Sequence, residues 1–304
     1  MQRKTSFAIM ALAGAVLSWA SVPLFLKHFA EFMDAWTVNG IRYIIGALLV
    51  LPALRGASSR NPAPTSLWRS ALIPSLVNSV SQAGFALIPY YVTASVMGFG
   101  IRTSFLFTIA GSLWLLPEER RLFSSRLFWI GGGLCAAGIC ALFCGSIRQA
   151  TSSVPGLILL FSDAACWGFY GVTVRKYMRG HAPHHSFAAI SLYTAAMLAV
   201  LMLIFGHVSA LAEQSPQTLV LIFISAAIGI SLGHVLMYYV LSHLGVIIES
   251  SGEMATPFLT FVGAALLFGE RLSALQWAGG IGVISGCALM ISTHKQIPEP
   301  MTPQ

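Results

Sequence analysis

Glu249 and Glu253 stand four residues apart in an otherwise apolar stretch, which places both carboxyls on one face if the stretch is helical. Arg102 is the corresponding charge in the first half of the chain. A charge inserted at bilayer depth costs roughly 2.5–3.5 kcal/mol, so such residues mark a pathway or a paired site. Three chemistries fit these residue types. A buried carboxyl binds and releases the proton of a coupled carrier. One carboxylate pairs permanently with Arg102 and joins two helices. Arg102 takes a substrate carboxylate while a glutamate takes its amine. Arg102 is expected to face the acid pair across a cavity. Ser250, Ser251 and Gly252 lie between the acids and would let a neighbour or ligand approach the backbone. Glu249 falls near the start of its segment and Glu253 deeper.

Other polar residues inside apolar stretches widen the candidate site. Asp163 shares a helix face with Trp167, near Tyr170, and either lines the cavity or bonds a hydroxyl on a neighbouring helix. Arg42 lies six residues beyond Trp36, close enough to an interface for its guanidinium to snorkel outward, and a structural role is favoured. Asn78 and Gln82 are spaced i, i+4, as are His234 and Tyr238. Such groups contact a ligand or bridge helices, the latter worth only about 0.6–2 kcal/mol. Trp19, Trp167, Tyr90 and Tyr238 would wall a site for an amphipathic or cationic substrate, or anchor and pack the helices. Glu270 reads as a cap for the last helix. His181, His184 and His185 read as a solvated loop cluster. The five cysteines read as small apolar filler, and no metal or cofactor is expected.

The elements that must position these residues are membrane spans. Hydrophobic residues make up 56% of the 304 and charged residues 9%, against about a quarter charged in a soluble domain. Mean hydropathy is +0.78. Segments of about 20 apolar residues cross a bilayer as helices. Ten are expected, at 7–26, 36–54, 69–88, 94–115, 127–146, 155–175, 186–206, 217–238, 246–268 and 274–293. Strand alternation is absent, which excludes a membrane β-barrel. The first segment, preceded by Arg3 and Lys4, reads as a retained helix because it is too long for a signal peptide and lacks a small-x-small site.

Basic residues orient the chain. With the amino terminus cytoplasmic, that side takes Arg3, Lys4, Arg55, Arg60, Arg69, Arg120, Arg121, Arg126, Arg175, Lys176, Arg179 and Lys295, and the other side only Lys27, Arg148 and Arg271. Both termini are expected inside a cell membrane. The pI near 9.4 then reflects topology and anionic lipid, with no nucleic-acid partner implied.

A shift of 148 residues superimposes Trp19 on Trp167, Lys27 on Arg175, Tyr90-Tyr91-Val92 on Tyr238-Tyr239-Val240 and Trp129 on Trp277. It also pairs Gly131, Gly132 and Gly138 with Gly279, Gly280 and Gly286, and a one-residue gap sets Gly98 against Gly245 and Arg102 against Glu249. Two domains follow, 1–150 and 151–304. With five spans each, the second enters from the opposite side. The expected fold is thus an all-α integral membrane protein of ten transmembrane helices in two inverted five-helix repeats, an arrangement common among secondary transporters.

These residues resemble the EamA-type transporters of the drug/metabolite transporter superfamily over about residues 7–293. Arg42 in Asn39-Gly40-Ile41-Arg42-Tyr43 is similar to the family's second-helix arginine, and 160–176, with Trp167 before Arg175-Lys176, to its sixth helix. Pro257, then Gly269-Glu270-Arg271-Leu272 and Gln276-Trp277 with the glycines to Gly286, are similar to its proline, GE-x-L and Q-x-x-G run. Leu116-Pro117-Glu118-Glu119 before Gly131-Gly132 is a degenerate copy. The resemblance implies a ten-helix bundle whose helices 1–4 and 6–9 surround a central cavity, with helices 5 and 10 peripheral. It also implies movement of metabolites, amino acids or drug-like compounds, often outward. The chain departs from the family in Arg102, Asp163, Glu249 and Glu253, so no substrate carries over. The expected function is secondary-active or facilitative transport, outward, of small polar or amphipathic metabolites such as amino acids, by alternating access around a central midplane cavity. The chain is expected in the lipid bilayer as monomer or homodimer, with protons a candidate coupling ion. An integral-membrane enzyme would need interfacial acidic or His clusters, and a receptor or scaffold an appended domain. Neither pattern stands out, and no P-loop supports ATP hydrolysis.

Overall fold

The computed structural model describes residues 2–55, 66–92, 94–147, 153–269 and 271–293. Arg60, Arg148, Glu270 and Lys295 lie outside them. The described residues form α1 (Gln2–Phe29), α2 (Ala35–Val50), α3 (Leu67–Leu87), α4 (Ala94–Gly100), α5 (Ser104–Leu115), α6 (Arg126–Ile147), α7 (Val154–Tyr177), α8 (Pro183–Phe205), α9 (Pro216–Ser225), α10 (Gly233–Leu244), α11 (Val246–Glu253), α12 (Thr256–Phe268) and α13 (Ala274–Ser292), with no strand among them.

Short polar residues open the helices. Ser66, Ser153 and Ser215 cap α3, α7 and α9, and Ser273 forms a capping box with Gln276 on α13. Glu270, to which the sequence suggests a cap of this helix, lies outside the described residues. Asp34 caps α2 through Thr37 N at 2.9 Å and also accepts from His207 N at 3.0 Å. Burial pushes the Asp34 carboxyl up, but these donors and the neighbouring His207 outweigh it and hold the group below its ordinary value.

Among the described residues, eight helical segments are long and apolar enough to cross a membrane. Two of the ten expected spans are not among the eight, for different physical reasons. α3 buries Ser75, Asn78, Ser79 and Ser81, which lower its hydropathy. The segment 246–268 is cut into α11 and α12. Two further expected spans are interrupted: a 3-10 turn at Ile101–Thr103 separates α4 from α5, and a π-turn at Ala226–Leu232 separates α9 from α10. The eighth expected span also runs on to Leu244 instead of ending at 238.

α6 and α13 pack closely on glycine. A side chain at Gly131 would meet Gly286 O at 2.7 Å, and one at Gly138 would meet Gly279 O at 2.5 Å. Residue numbers rise along one helix as they fall along the other, so the two helices run antiparallel. Between these contacts Cys135 Sγ lies 3.4 Å from Val283 O, a residue 148 positions on. Trp19 and Trp167, also 148 apart, meet edge to face at 6.0 Å.

Candidate functional site

α11 is only eight residues long, and the sequence sets both of its ends. Gly245 precedes it at φ 89°, a left-handed conformation that glycine adopts without strain. Beyond it, Pro257 near the start of α12 has no N–H to return to the carbonyl four residues back, which is Glu253 O. Arg102 takes that carbonyl, with Nη1 2.9 Å away. The expectation that Arg102 faces the acid pair is thus altered in detail. Its hydrogen bond goes to the main chain of Glu253, from the turn between α4 and α5.

Both acids are buried, Glu249 2% and Glu253 5% exposed. Their carboxyls lie within interaction range of each other. Glu253 Oε2 accepts from Trp167 Nε1 at 3.3 Å, whereas Glu249 Oε1 has no hydrogen-bond partner. A cavity of about 10 Å³ touches both acids and is lined also by Thr108, Trp167, Gly168, Ser250 and Met237. That is room for about one water molecule, far short of the roughly 300 Å³ or more of a ligand pocket. Ser250 Oγ lies 3.4 Å from Thr108 Oγ1, and Cys287 Sγ donates to Ser251 O at 3.0 Å, so α5 and α13 both hold the acid-bearing helix.

Aromatic rings continue the site from Trp167. Trp19 lies 5.4 Å from the His234 ring, Phe187 stacks on His234 at 5.0 Å, and the hydroxyls of Tyr170 and Tyr238 are 2.7 Å apart. His234 Nδ1 faces Ile230 O at 2.9 Å and its buried Nε2 has no partner. Trp19 Nε1 donates to Gly229 O at 3.1 Å. That carbonyl belongs to the π-turn between α9 and α10.

The remaining candidates fall elsewhere. Arg42 is 3% exposed and lies against Gly229, so it does not snorkel outward. Asp163 accepts from Ser81 Oγ at 3.2 Å, the hydroxyl-bonding alternative, and its Oδ2 is unpartnered. Asn78 bridges α3 to α8 through Thr194 at 3.1 Å. Gln82 contributes its main-chain carbonyl to Asn39 Nδ2 at 3.2 Å. Tyr90 is 64% exposed on the outer surface and is not brought to the aromatic group.

Glu119 was not among the candidates, although it is fully buried. Its two carboxylate oxygens accept from Val246 N at 2.9 Å and Ile247 N at 3.0 Å, the free donors at the start of α11. Arg175 Nε lies 3.7 Å from the same carboxylate, and Arg175 Nη1 donates to Leu241 O and Ser242 O at the end of α10. Burial pushes the Glu119 carboxyl up, Arg175 and the two N–H groups pull it back, and the balance leaves it above its ordinary value. In sequence nothing separates it from Glu118, which pairs with Arg179 at the surface. The one hint was its place in the degenerate motif Leu116-Pro117-Glu118-Glu119.

The family model described as the EamA-like transporter family matches the chain twice, at residues 6–144 and 154–292. No curated protein matches it. Among solved structures, 28 chains match. One, described only as "Crystal structure of protein", superposes with a TM-score of 0.74 over 93% of this chain and 96% of its own, at 18% identity. At that identity the likeness is one of fold alone.

Proposed function

The chain belongs to the EamA-like transporter family, and on that premise we propose that it is a proton-coupled secondary carrier of small polar or amphipathic metabolites such as amino acids. It works by alternating access, and its direction is outward. Residues 1–150 and 151–304 act as inverted repeats of five passes each, with α4–α5, α9–α10 and α11–α12 each counted as one interrupted pass. The antiparallel glycine contact of α6 with α13 supports this reading, because homologous helices related by an axis in the membrane plane run in opposite directions. The distribution of basic residues supports cytoplasmic termini in a cell membrane.

The observation that carries the proposal is the pair Glu249 and Glu253, buried together beside a small cavity, with Trp167 on one carboxyl and Arg102 committed to the main chain. A carboxyl pair so placed takes up and releases a proton as water or substrate reaches it, and an ammonium group is the natural competitor for the same oxygens. Trp19, Trp167, Phe187 and His234 then supply apolar and cation-binding ring faces. Interrupted helices beside the acids fit a midplane site, since such breaks expose main-chain groups only where they line a cavity. The test is a proteoliposome flux panel of amino acids and related metabolites, with and without an imposed pH gradient. Flux of at least one compound that rises with the gradient supports the proposal. Flux indifferent to the gradient leaves a facilitator, and none across the panel overturns the substrate assignment.

A further inference from the structure

α11 is held by a charge of complementary sign at each end. The anion Glu119 lies at its amino-terminal N–H groups and the cation Arg102 at its carboxy-terminal carbonyl, the arrangement that a helix dipole favours. Both charges come from the first half of the chain, while α11 and its acids belong to the second. A break in the helical run adjoins each contact: Gly245 at φ 89° on one side, and the turn before Pro257 on the other. Glu249 and Glu253 are closed off in this conformation, so an element must move before water or substrate reaches them. The short helix that carries them is broken from its neighbours at both ends.

We propose that Glu119 and Arg102 form an electrostatic latch on α11, and that release of Glu119 from Val246 and Ile247 opens the acid pair to the membrane face on which residues 117–124 lie. Arg175 makes the latch two-sided. It holds the carbonyls that end α10 while pairing with the carboxylate that starts α11, so both helix ends at Gly245 are tied to one ion pair. Glu119 and Arg102 are positioning residues in this arrangement. They touch the helix, and the helix presents the acids. The latch rests on the reading of Glu249 and Glu253 as the transport site only for its meaning, because its geometry can be tested without a substrate.

The experiment treats the purified full-length protein in lipid nanodiscs with a water-soluble carbodiimide and an amine, and follows modification of individual carboxyls by peptide mass spectrometry. Asp163, buried between α3 and α7 at 3% exposure, reports any general loosening. In the intact protein Glu249 and Glu253 are modified slowly. In Glu119→Gln their modification accelerates at least about tenfold, the factor expected from losing a charge-assisted hydrogen bond, while Asp163 does not change. Glu119→Asp, which keeps the charge and shortens its reach, gives an intermediate rate and serves also if the glutamine variant fails to fold. Protection of Glu249 and Glu253 that persists in the variants, or a parallel rise at Asp163, overturns the latch. Because no substrate is present, a failed latch and a failed flux panel are separate results.

Discussion

The Tyr170 and Tyr238 hydroxyls satisfy each other at 2.7 Å in a part of the bundle where both rings are at most 2% exposed. Leaving one buried hydroxyl without its partner costs about 1–3 kcal/mol, whereas removing both partners is close to neutral. Tyr170→Phe is therefore expected to lower the thermal midpoint of the detergent-solubilised protein, and Tyr170→Phe with Tyr238→Phe to recover most of the loss. A double variant that loses the sum of the single effects would show that the rings, and not the bond, hold α7 to α10. Residue types were legible at this scale, and partners were not. Glu249 and Glu253 stand out in sequence because two acids four apart in an apolar stretch demand a reason. That Arg102 serves a main-chain carbonyl follows from Pro257, whose missing N–H frees Glu253 O, but only the fold brings residue 102 to residue 253. Glu119 needed the same long-range information, since its donors lie 127 and 128 residues away.

At the scale of elements, the close approach of α6 and α13 rests on glycine. A methyl group at position 138 would stand 2.5 Å from Gly279 O, so the helices must separate to admit it. Gly138→Ala is expected to destabilise by about 1–3 kcal/mol, in the range of overpacking. Gly133, five residues earlier on the same helix with nothing within 4 Å, is the control. Gly133→Ala is expected to be neutral or to stabilise by up to about 1 kcal/mol through helix propensity. Thermal midpoints of the two variants, measured side by side, check the pair, and equal effects would refute the contact. The glycines were visible as a pattern repeating at 148 residues, so their use in packing was foreseeable. The breaks were less so. Pro257 signals the cut between α11 and α12, whereas the π-turn lies where Trp19, more than 200 residues away in sequence, takes the Gly229 carbonyl. No local pattern carries that event.

For the whole molecule, the repeat is what makes the individual features one device. Trp19 with Trp167, and Cys135 with Val283, are positions 148 apart that meet each other, which the proposed inverted repeat expects of residues near its two-fold axis. On the inverted-repeat reading, the two halves rock about that axis. The glycine contact of α6 with α13 stays fixed, and α11 with its acids is passed between the two faces. A carrier of this kind has a thermodynamic signature. Exchange of labelled for unlabelled substrate across a membrane needs no net proton movement, while accumulation against a gradient does. The decisive measurement compares these two modes in proteoliposomes for the intact protein and for Glu253→Gln, with a substrate that the flux panel identifies. The account predicts that Glu253→Gln retains exchange and loses pH-driven accumulation. Accumulation that survives the substitution undiminished would contradict it and leave Glu253 a structural residue.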